Sequence, residues 1–477
     1  MVFSSIVFLL FFLPIFLLVY HLVPKSLKNI VLLGFSIFFY SWGAPLFIFV
    51  ILGTTLLDFF LVGRMDASES EAERKTMLTI SVLVNLGLLF YFKYSNFFVE
   101  NINTTLKAAG LHTAIHWTKL ALPIGISFYT FETLTYVVDV YRRVHKPLKN
   151  FWDYQLYIIL FPKLIAGPIT RYHDIAAQIT DRTENETIDL KLIGFYRFII
   201  GLSKKMLIAN AMGAQADSIM QHPIDEISWG YAWFGALAYT MQIYFDFSGY
   251  SDMAVGICNM VGFRLPENFN SPYTATSITD FWRRWHITLG SWMRNYLYIP
   301  LGGNQVATPA RLYANLWIVF LASGFWHGAS WSFLFWGAYH GFFLVAERSF
   351  LNKFYAFIGK YPSMLLTFLL VLIGWVFFRI EKLSDGFQYL KLMFSPQQHH
   401  RFFLLNNDFY PVLIVALCFS FFAMTDWGKK AQAFVFERTT YSLGVHAAFM
   451  SAATLFLALC VAMIAGSNFN PFIYFRF

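Results

Sequence analysis

Residues 312–346 read LYANLWIVFLASGFWHGASWSFLFWGAYHGFFLVA and contain no aspartate, glutamate, lysine or arginine. One unbroken helix of this length would extend about 52 Å at 1.5 Å per residue, whereas the hydrocarbon core of a bilayer is about 30 Å thick. We therefore expect the segment to break, and Ser323, Gly324 and Gly328 mark the place. Residues 312–326 are predicted to enter the membrane, turn near His327 and return.

The composition of the whole chain indicates a membrane protein. Hydrophobic residues make up 57% of the chain and charged residues only 13%, whereas charged residues make up about a quarter of a typical soluble domain. We predict an all-α polytopic membrane protein with about 11 transmembrane helices. The apolar runs that predict these helices are 2–22, 30–42, 45–62, 77–98, 119–140, 192–211, 229–247, 312–346, 364–378, 410–424 and 447–465.

The organisation of the chain follows from these runs. A single membrane domain is expected over residues 1–477, because the loops are too short to hold a soluble domain. The first run lacks the charged start and the cleavage site of a signal peptide, so we expect it to remain as a membrane segment. Prolines and glycines interrupt residues 151–304 and favour short re-entrant or interfacial helices there.

The basic residues predict the orientation. Lys25 and Lys28 follow the first apolar run, and further basic residues follow the third and the fifth. Because lysine and arginine concentrate in cytoplasmic loops, this alternation places the N-terminus outside the cytoplasm. Continued along the chain, it places residues 264–311 in the cytoplasm and the C-terminal tail, residues 466–477, outside.

Two histidines stand in different settings. His327 lies in the aromatic and glycine-rich sequence GFWHGASW at residues 324–331. An ionisable side chain at membrane depth is costly, so His327 is a candidate functional residue. His286 lies in FWRRWHITLGSWMRNYLYIPLGGN at residues 281–304, where charges and tryptophans alternate as they do at a membrane surface.

These two stretches resemble the membrane-bound O-acyltransferase (MBOAT) family, in its bacterial branch of alginate O-acetyltransferase and teichoic-acid D-alanyl transferase membrane subunits. The resemblance extends to FPKLIAGPITR at residues 161–171 and YFDFSGYSD at residues 244–252. It implies helices around a central funnel or tunnel, a principal catalytic histidine at His327 and a second motif histidine at His286. It also implies a bacterial inner-membrane protein.

The residue types fit acyl transfer. Transfer from a thioester to a hydroxyl needs a base, and a neutral histidine suits that work near neutral pH. His327, flanked by Trp326, is the predicted base. His286 could orient a carbonyl, bind the polar end of the donor or share the proton transfer. The alternatives are a packed structural histidine at His327 and an interfacial anchor at His286.

Charged residues near these motifs are candidates for substrate binding. Arg283, Arg284 and Arg294 could hold the phosphates of acetyl-coenzyme A, although arginines at a cytoplasmic surface also serve as anchors. Asp246 and Asp252 stand among aromatic residues, where an unpaired carboxylate would be costly. They could pair with Arg171 or Arg264, or hold a histidine in one tautomer, and we include them with Trp326 among the candidates for the substrate site.

No resident cofactor or metal is expected. The cysteines are Cys258, Cys418 and Cys460, and all three stand in or beside apolar segments. Their odd number and wide spacing provide neither a disulfide framework nor a zinc motif.

The C-terminal tail ends NPFIYFRF at residues 470–477. Chain termini usually fray, so a tail with four aromatic rings suggests insertion into an apolar cavity. The resemblance implies that Tyr474 accepts the acyl group as an ester and passes it to an extracytoplasmic partner. The alternative is an aromatic anchor at the outer membrane interface.

The predicted function is therefore an O-acetyltransferase membrane subunit. Acetyl would move from cytoplasmic acetyl-coenzyme A through Tyr474 to a separate extracytoplasmic transferase, which would acetylate an exported polysaccharide such as alginate. D-alanyl transfer to teichoic acid and acetylation of peptidoglycan are alternatives within the family. A transporter without covalent chemistry is the alternative of another class, but the sequence shows no repeated halves of the kind that many transporters have.

Overall fold

The computed structural model describes residues 1–111, 114–396, 405, 407–466 and 472–473. All the regular elements in these residues are helices. An α-helix satisfies its backbone hydrogen bonds internally, which suits a chain that must cross lipid. The prediction of an all-α protein is confirmed for this part of the chain.

The chain divides into two compact units. The first comprises Met1, Val7–Glu186 and Val261–Leu265. Its α-helices are α1 (Leu13–Leu22), α2 (Lys28–Gly43), α3 (Phe47–Ala67), α4 (Glu71–Leu89), α5 (Ser95–Ala108), α6 (Ile126–Tyr141), α7 (Phe151–Ile159), α8 (Phe161–Leu164) and α9 (Tyr172–Thr180).

The second unit comprises Val2–Ile6, Thr187–Met260 and Pro266–Phe477. Its α-helices are α10 (Ile188–Ser203), α11 (Asn210–Met220), α12 (Trp229–Met260), α13 (Ile278–Arg284), α14 (Ile287–Trp292), α15 (Pro309–His327), α16 (Trp331–Ala346), α17 (Asn352–Ile358), α18 (Lys360–Arg379), α19 (Leu383–Met393), α20 (Phe409–Phe421), α21 (Asp426–Phe436) and α22 (Leu443–Gly466).

Shorter helical segments join several of these elements. The π-helical segments are Phe8–Phe12, Phe90–Tyr94, Lys204–Ala209, Met293–Tyr298 and Glu347–Leu351. The 3₁₀ segments are Lys25–Leu27, Thr183–Asn185, Ile224–Glu226, Pro272–Thr274 and Phe422–Met424. The short helices α13 and α14 lie within residues 151–304, where the prolines and glycines predict interrupted helices.

Among the described residues, four helices are long and apolar enough to cross a membrane. They are Phe47–Ala67, Glu71–Ala108, Lys360–Arg379 and Leu443–Gly466. A further pair of helices, Phe409–Met424 and Asp426–Phe436, is bent by 97°. If this pair is counted as one span, the described residues contain five candidate membrane spans. Each predicted apolar run overlaps at least one α-helix, but the bounds of the runs and of the helices differ. The count of about 11 transmembrane helices, the single domain and the central funnel therefore stay predictions.

The predicted break at His327 is confirmed. Helix α15 ends at His327, and α16 begins at Trp331 after Ser330, whose side chain accepts a hydrogen bond from the backbone N–H of Phe333. The two helices approach closely at Gly324: a Cβ on this residue would lie only 2.4 Å from the carbonyl oxygen of Phe333. The segment is thus a tight helical hairpin, and its entry into the membrane stays a prediction.

Helices α10 and α12 pack in antiparallel directions along a seam of glycines. A Cβ on Gly194 would lie 2.6 Å from the carbonyl oxygen of Gly256, and a Cβ on Gly201 would lie 2.5 Å from that of Gly249. Both pairs are seven residues apart on their helices, which is two helical turns. Small residues of this kind allow backbones in a membrane to approach closely.

Replacement of Gly201 by leucine is expected to destabilise the second unit. The new side chain would force apart two backbones that have no room to adjust, and overpacking of this kind costs about 1–3 kcal/mol. Thermal unfolding of the purified protein in detergent, followed by tryptophan fluorescence, would show a lower Tm for Gly201→Leu. Gly53→Leu on α3 is the matched control, since a Cβ there has no heavy atom within 4 Å. Equal Tm values for the two variants would contradict the role of the seam.

Candidate active site

His286 sits in a strained position between α13 and α14. Its backbone has φ 45° and ψ 53°, in the left-handed region that non-glycine residues rarely adopt. Such a conformation costs about 1–3 kcal/mol and persists only where the surrounding structure imposes it. The side chain is 1% exposed, so the strain accompanies a fixed placement of the imidazole ring.

Asn268 determines which nitrogen of His286 carries the proton. The Oδ1 atom of Asn268 lies 3.0 Å from Nδ1 of His286 and 3.4 Å from the backbone nitrogen of Thr288. A backbone N–H can only donate, so the atom facing it is an acceptor oxygen. The amide nitrogen of Asn268 donates to the hydroxyl of Ser251 at 3.1 Å, which agrees with this orientation. Nδ1 of His286 is therefore the donor, and Nε2 carries a lone pair.

The Nε2 atom of His286 is buried and has no hydrogen-bond partner among the described residues. The ring stands perpendicular to Phe247, with centroids 4.7 Å apart. Burial lowers the pKa of His286 to about 3, so the imidazole stays neutral at physiological pH. The site thus contains a neutral, oriented imidazole whose Nε2 can accept a proton or a hydrogen bond.

His327 is the last residue of α15 and is 6% exposed. Its ring contacts Trp336 and Phe378, each with centroids 5.2 Å away. Trp326 lies 4.9 Å from His327 and 6.3 Å from His286 between ring centroids. The two predicted histidines therefore meet around one indole ring, which agrees with the placement of Trp326 in the same site.

A buried carboxylate joins the hairpin to the segment that carries His286. Glu347, directly after α16, accepts hydrogen bonds from the backbone N–H groups of Ile278 at 2.5 Å and Thr279 at 2.9 Å. These N–H groups lie in the first turn of α13, where backbone donors lack helical partners. Glu347 thereby anchors α13, which leads through Trp285 to His286. Because Glu347 also follows α16, one side chain connects both histidine-bearing segments.

The described part of the tail is buried. Phe472 and Ile473 are 4% and 1% exposed, and the backbone N–H of Ile473 donates to Asp246 at 2.8 Å. Phe472 packs on Tyr250 at 4.6 Å and on Phe247 at 6.1 Å between ring centroids. Insertion of the tail is thus confirmed for these two residues, whereas Tyr474 lies outside the described residues.

The predicted partners of the two aspartates are wrong. Asp246 forms an ion pair with Lys205 at 2.8 Å, and Asp252 forms ion pairs with Arg197 at 2.9 Å and Lys204 at 2.6 Å. Arg171 and Arg264, the predicted partners, come from distant segments, whereas the actual partners lie in or just after α10, against α12. The pairing role is confirmed, and a role in substrate binding stays a prediction.

The three candidate arginines differ in their surroundings. Arg284 is paired with Asp280 at 2.9 Å, one helical turn away. Arg283 and Arg294 are exposed, and no ion pair to either is formed within the described ranges. Their geometry is compatible with phosphate binding and equally with anchoring in lipid headgroups, so their role stays a prediction.

Two residues near the histidines were missed by the sequence analysis. No sequence pattern marks Asn268 as a functional residue, because its role depends on a contact with the ring of His286, 18 residues further along the chain. His340 is completely buried on α16, with ring centroids 4.9 Å from Trp282 and 5.1 Å from Trp336. It lies in the same uncharged run as His327, so the rule that marks ionisable residues at membrane depth would have found it.

Comparison with known proteins agrees with this geometry. The family model for MBOAT, the membrane-bound O-acyltransferase family, matches residues 136–380. This range includes both His286 and His327. The chain is 40% identical to the probable alginate O-acetylase AlgI of Pseudomonas putida over 100% of both chains. It is 36% identical to the peptidoglycan O-acetyltransferase of Helicobacter pylori, over 82% of this chain and 80% of that protein.

A more distant relative is the teichoic acid D-alanyltransferase of Bacillus subtilis, with 28% identity over 48% of this chain and 59% of that protein. The relatives named here all transfer acyl groups. Since the family model covers half of the chain and full-length relatives exceed 30% identity, the resemblance seen in the sequence is confirmed. The chain belongs to the membrane-bound O-acyltransferase family and is an acyltransferase with a multi-pass membrane architecture.

Proposed function

We propose that this protein is the membrane subunit of an O-acetyltransferase system for an exported polysaccharide such as alginate. The observation that carries the proposal is the burial of Phe472 and Ile473, with Phe472 packed against Phe247, the ring that supports His286. Relatives with 40–45% identity are named as probable alginate O-acetylases, which supports acetyl as the transferred group.

The proposed reaction uses Tyr474 as the acceptor. Its phenolic oxygen attacks the carbonyl carbon of an acetyl thioester, the C–S bond breaks, and coenzyme A leaves as the thiol with the proton. A phenol has a pKa near 10 and needs a base to become nucleophilic. We propose His327 as that base, and we assign the Nε2 lone pair of His286 to accept a hydrogen bond or share the proton transfer. Trp326, whose ring lies near both imidazoles, would line the acyl site.

The proposed topology explains why a tyrosine carrier would be useful. Coenzyme A is charged and stays in the cytoplasm, whereas an exported polysaccharide lies outside the inner membrane. If the donor enters from the cytoplasm and the tail enters from the other side, only the acetyl group crosses. The exposed Arg283 and Arg294 would bind the donor phosphates, since guanidinium groups bind phosphate bidentately.

A separate extracytoplasmic transferase would then take the acetyl group from Tyr474 to the polysaccharide. Peptidoglycan is the alternative acceptor, favoured by the relative at 36% identity. D-alanyl transfer is less favoured, because the relatives with that name match about half of the chain at lower identity. The alternative of a non-enzymatic transporter does not account for the buried tail or for the two histidines near one indole ring.

Incubation of the purified protein with acetyl-coenzyme A is expected to place acetyl on Tyr474. Intact-mass and peptide mass spectrometry would detect the ester, and His327→Ala is expected to lower its rate of formation by about 10²–10⁴-fold, the usual contribution of a general base. His116→Ala in an exposed loop is the matched control and should react normally. Acetyl release without a modified tail would rule out the tyrosine carrier, and rejection of acetyl-coenzyme A would point to another donor.

Asn268→Ala is expected to lower kcat by about 10²-fold, with a smaller effect on the KM for acetyl-coenzyme A. Without the amide oxygen, the His286 ring loses its fixed tautomer and orientation, and misplacement of a reacting group costs about this much. Asn268→Asp keeps an acceptor oxygen for Nδ1 and should recover part of the rate. If both variants retained the rate of the unmodified protein, the orientation of His286 would have no role in the reaction.

A further inference from the structure

A polar cavity of about 620 Å³ opens in the first unit, where the start of α2 lies near α7 and the loop after α9. Three cations line it, and so do three carboxylates. The cations are Lys25, Lys28 and Arg182, and the carboxylates are Asp153, Asp181 and Glu186. The formal charges therefore balance, which distinguishes this cavity from a site built for an anion alone.

The deeper charges are already arranged into a network. Lys28 forms an ion pair with Glu186, and both side chains are nearly buried. Arg182 donates to Oδ1 of Asn29 at 2.7 Å, and the amide of Asn29 donates to Asp153 at 3.0 Å. This network holds α2, α7 and the loop after α9 together, so the floor of the cavity is fixed by polar contacts within one unit.

The rim of the cavity carries accessible charges of both signs. Lys25 and Asp181 are exposed, and Lys25 makes no ion pair within the described ranges. The backbone N–H of Thr183 donates to Asp181 at 2.9 Å and lowers the pKa of that carboxyl, which therefore stays ionised. Trp152, 56% exposed, also lines the cavity and is of the residue type that concentrates at membrane interfaces.

An apolar groove of about 590 Å³ runs beside the polar cavity, between α2 and the first helical segment of the chain. Its exposed walls include Phe11, Ile15, Phe38 and Trp42, whose exposed fractions are between 50% and 59%. Gly34 lines both the groove and the polar cavity. A Cβ on Gly34 would have no heavy atom within 4 Å, so the space beside this shared lining residue is open.

We propose that the polar cavity and the groove together bind one phospholipid with a zwitterionic headgroup that bears a primary ammonium. The phosphate would lie against Lys25 and the ammonium against Asp181, the two exposed charges of the rim, and an acyl chain would pass Gly34 into the groove. Both volumes fall within the range of about 300–1,000 Å³ that ligand sites occupy. An anionic lipid would match Lys25, but its negative charge would then lie beside the ionised carboxylate of Asp181. This site lies outside the acyl-transfer residues, so it stands independently of the proposed function.

Native mass spectrometry of the full chain in detergent tests this proposal. The protein would be incubated with equal amounts of phosphatidylethanolamine, phosphatidylcholine and phosphatidylglycerol. We expect phosphatidylethanolamine to be retained most, because its primary ammonium donates hydrogen bonds that the quaternary ammonium of phosphatidylcholine cannot. Equal or greater retention of phosphatidylglycerol would overturn the assignment of a zwitterionic headgroup.

Variants separate the headgroup from the acyl chain. The double variant Lys25→Ala with Asp181→Asn changes only exposed side chains and should lower phosphatidylethanolamine retention about tenfold or more, as expected for lost hydrogen bonds to charged groups. Gly34→Leu should block the passage to the groove and lower retention similarly. Gly53→Leu, also on an exposed helix face without neighbours, is the matched control. Equal retention by Gly34→Leu and Gly53→Leu would show only nonspecific lipid adhesion and would overturn the site.

Thermal unfolding of each variant provides the necessary control for folding. The changed residues are exposed, so the Tm of each should match that of the unmodified protein. If Gly34→Leu or the double variant kept both its Tm and its bound phosphatidylethanolamine, the part of the site that it changes would be overturned.

Discussion

The second unit depends on a set of buried ion pairs. They join α12 to α10 and to the π-helical segment Lys204–Ala209 that follows α10. Asp246 and Asp252 on α12 are 1% and 6% exposed, and their partners are Lys205, Lys204 and Arg197. A buried charge without its partner would cost about 3–5 kcal/mol, so these pairs fix one register between the helices. The glycine seam makes the required approach possible. Together they determine where Phe247 lies, and that ring supports both His286 and the tail.

The two histidines of the site lie on different helical segments, and each stands at the end of a helix. His286 stands between two short helices in a left-handed conformation, and His327 stands at the end of a helix where the hairpin turns. Glu347 joins these segments by capping α13 directly after the hairpin ends. The backbone strain at His286 is thus supported by a network that holds its neighbours in place. Such a network keeps an imidazole oriented without burying a charge beside it, since the Nδ1 partner is the neutral amide of Asn268.

The sequence predicted local features well and contacts between distant segments poorly. The break at His327 followed from the length of an uncharged run compared with the thickness of a bilayer, and the burial of Phe472 and Ile473 followed from an aromatic pattern at a chain end. The partners of Asp246 and Asp252 could not be predicted this way, because hydropathy does not encode which helix packs on which. The contact between Asn268 and His286 could not be predicted for the same reason. Hydropathy alone does not determine the number of spans, because apolar runs and helices differ in length: α6 begins at Ile126, whereas the run begins at residue 119.

The tail and the proposed catalytic histidines are coupled through few side chains. Asp246 accepts from the backbone of Ile473 while it is paired with Lys205, and the next residue, Phe247, contacts both Phe472 and His286. Removal of the tail would therefore take away a hydrogen bond from a buried carboxylate and a packing partner from the ring that supports His286. It follows that the placement of Phe472 and Ile473 and the orientation of the His286 imidazole depend on each other. In the proposed reaction this arrangement would be useful, because the tail that would bring the acyl acceptor also packs, through Phe472, on the ring that supports His286.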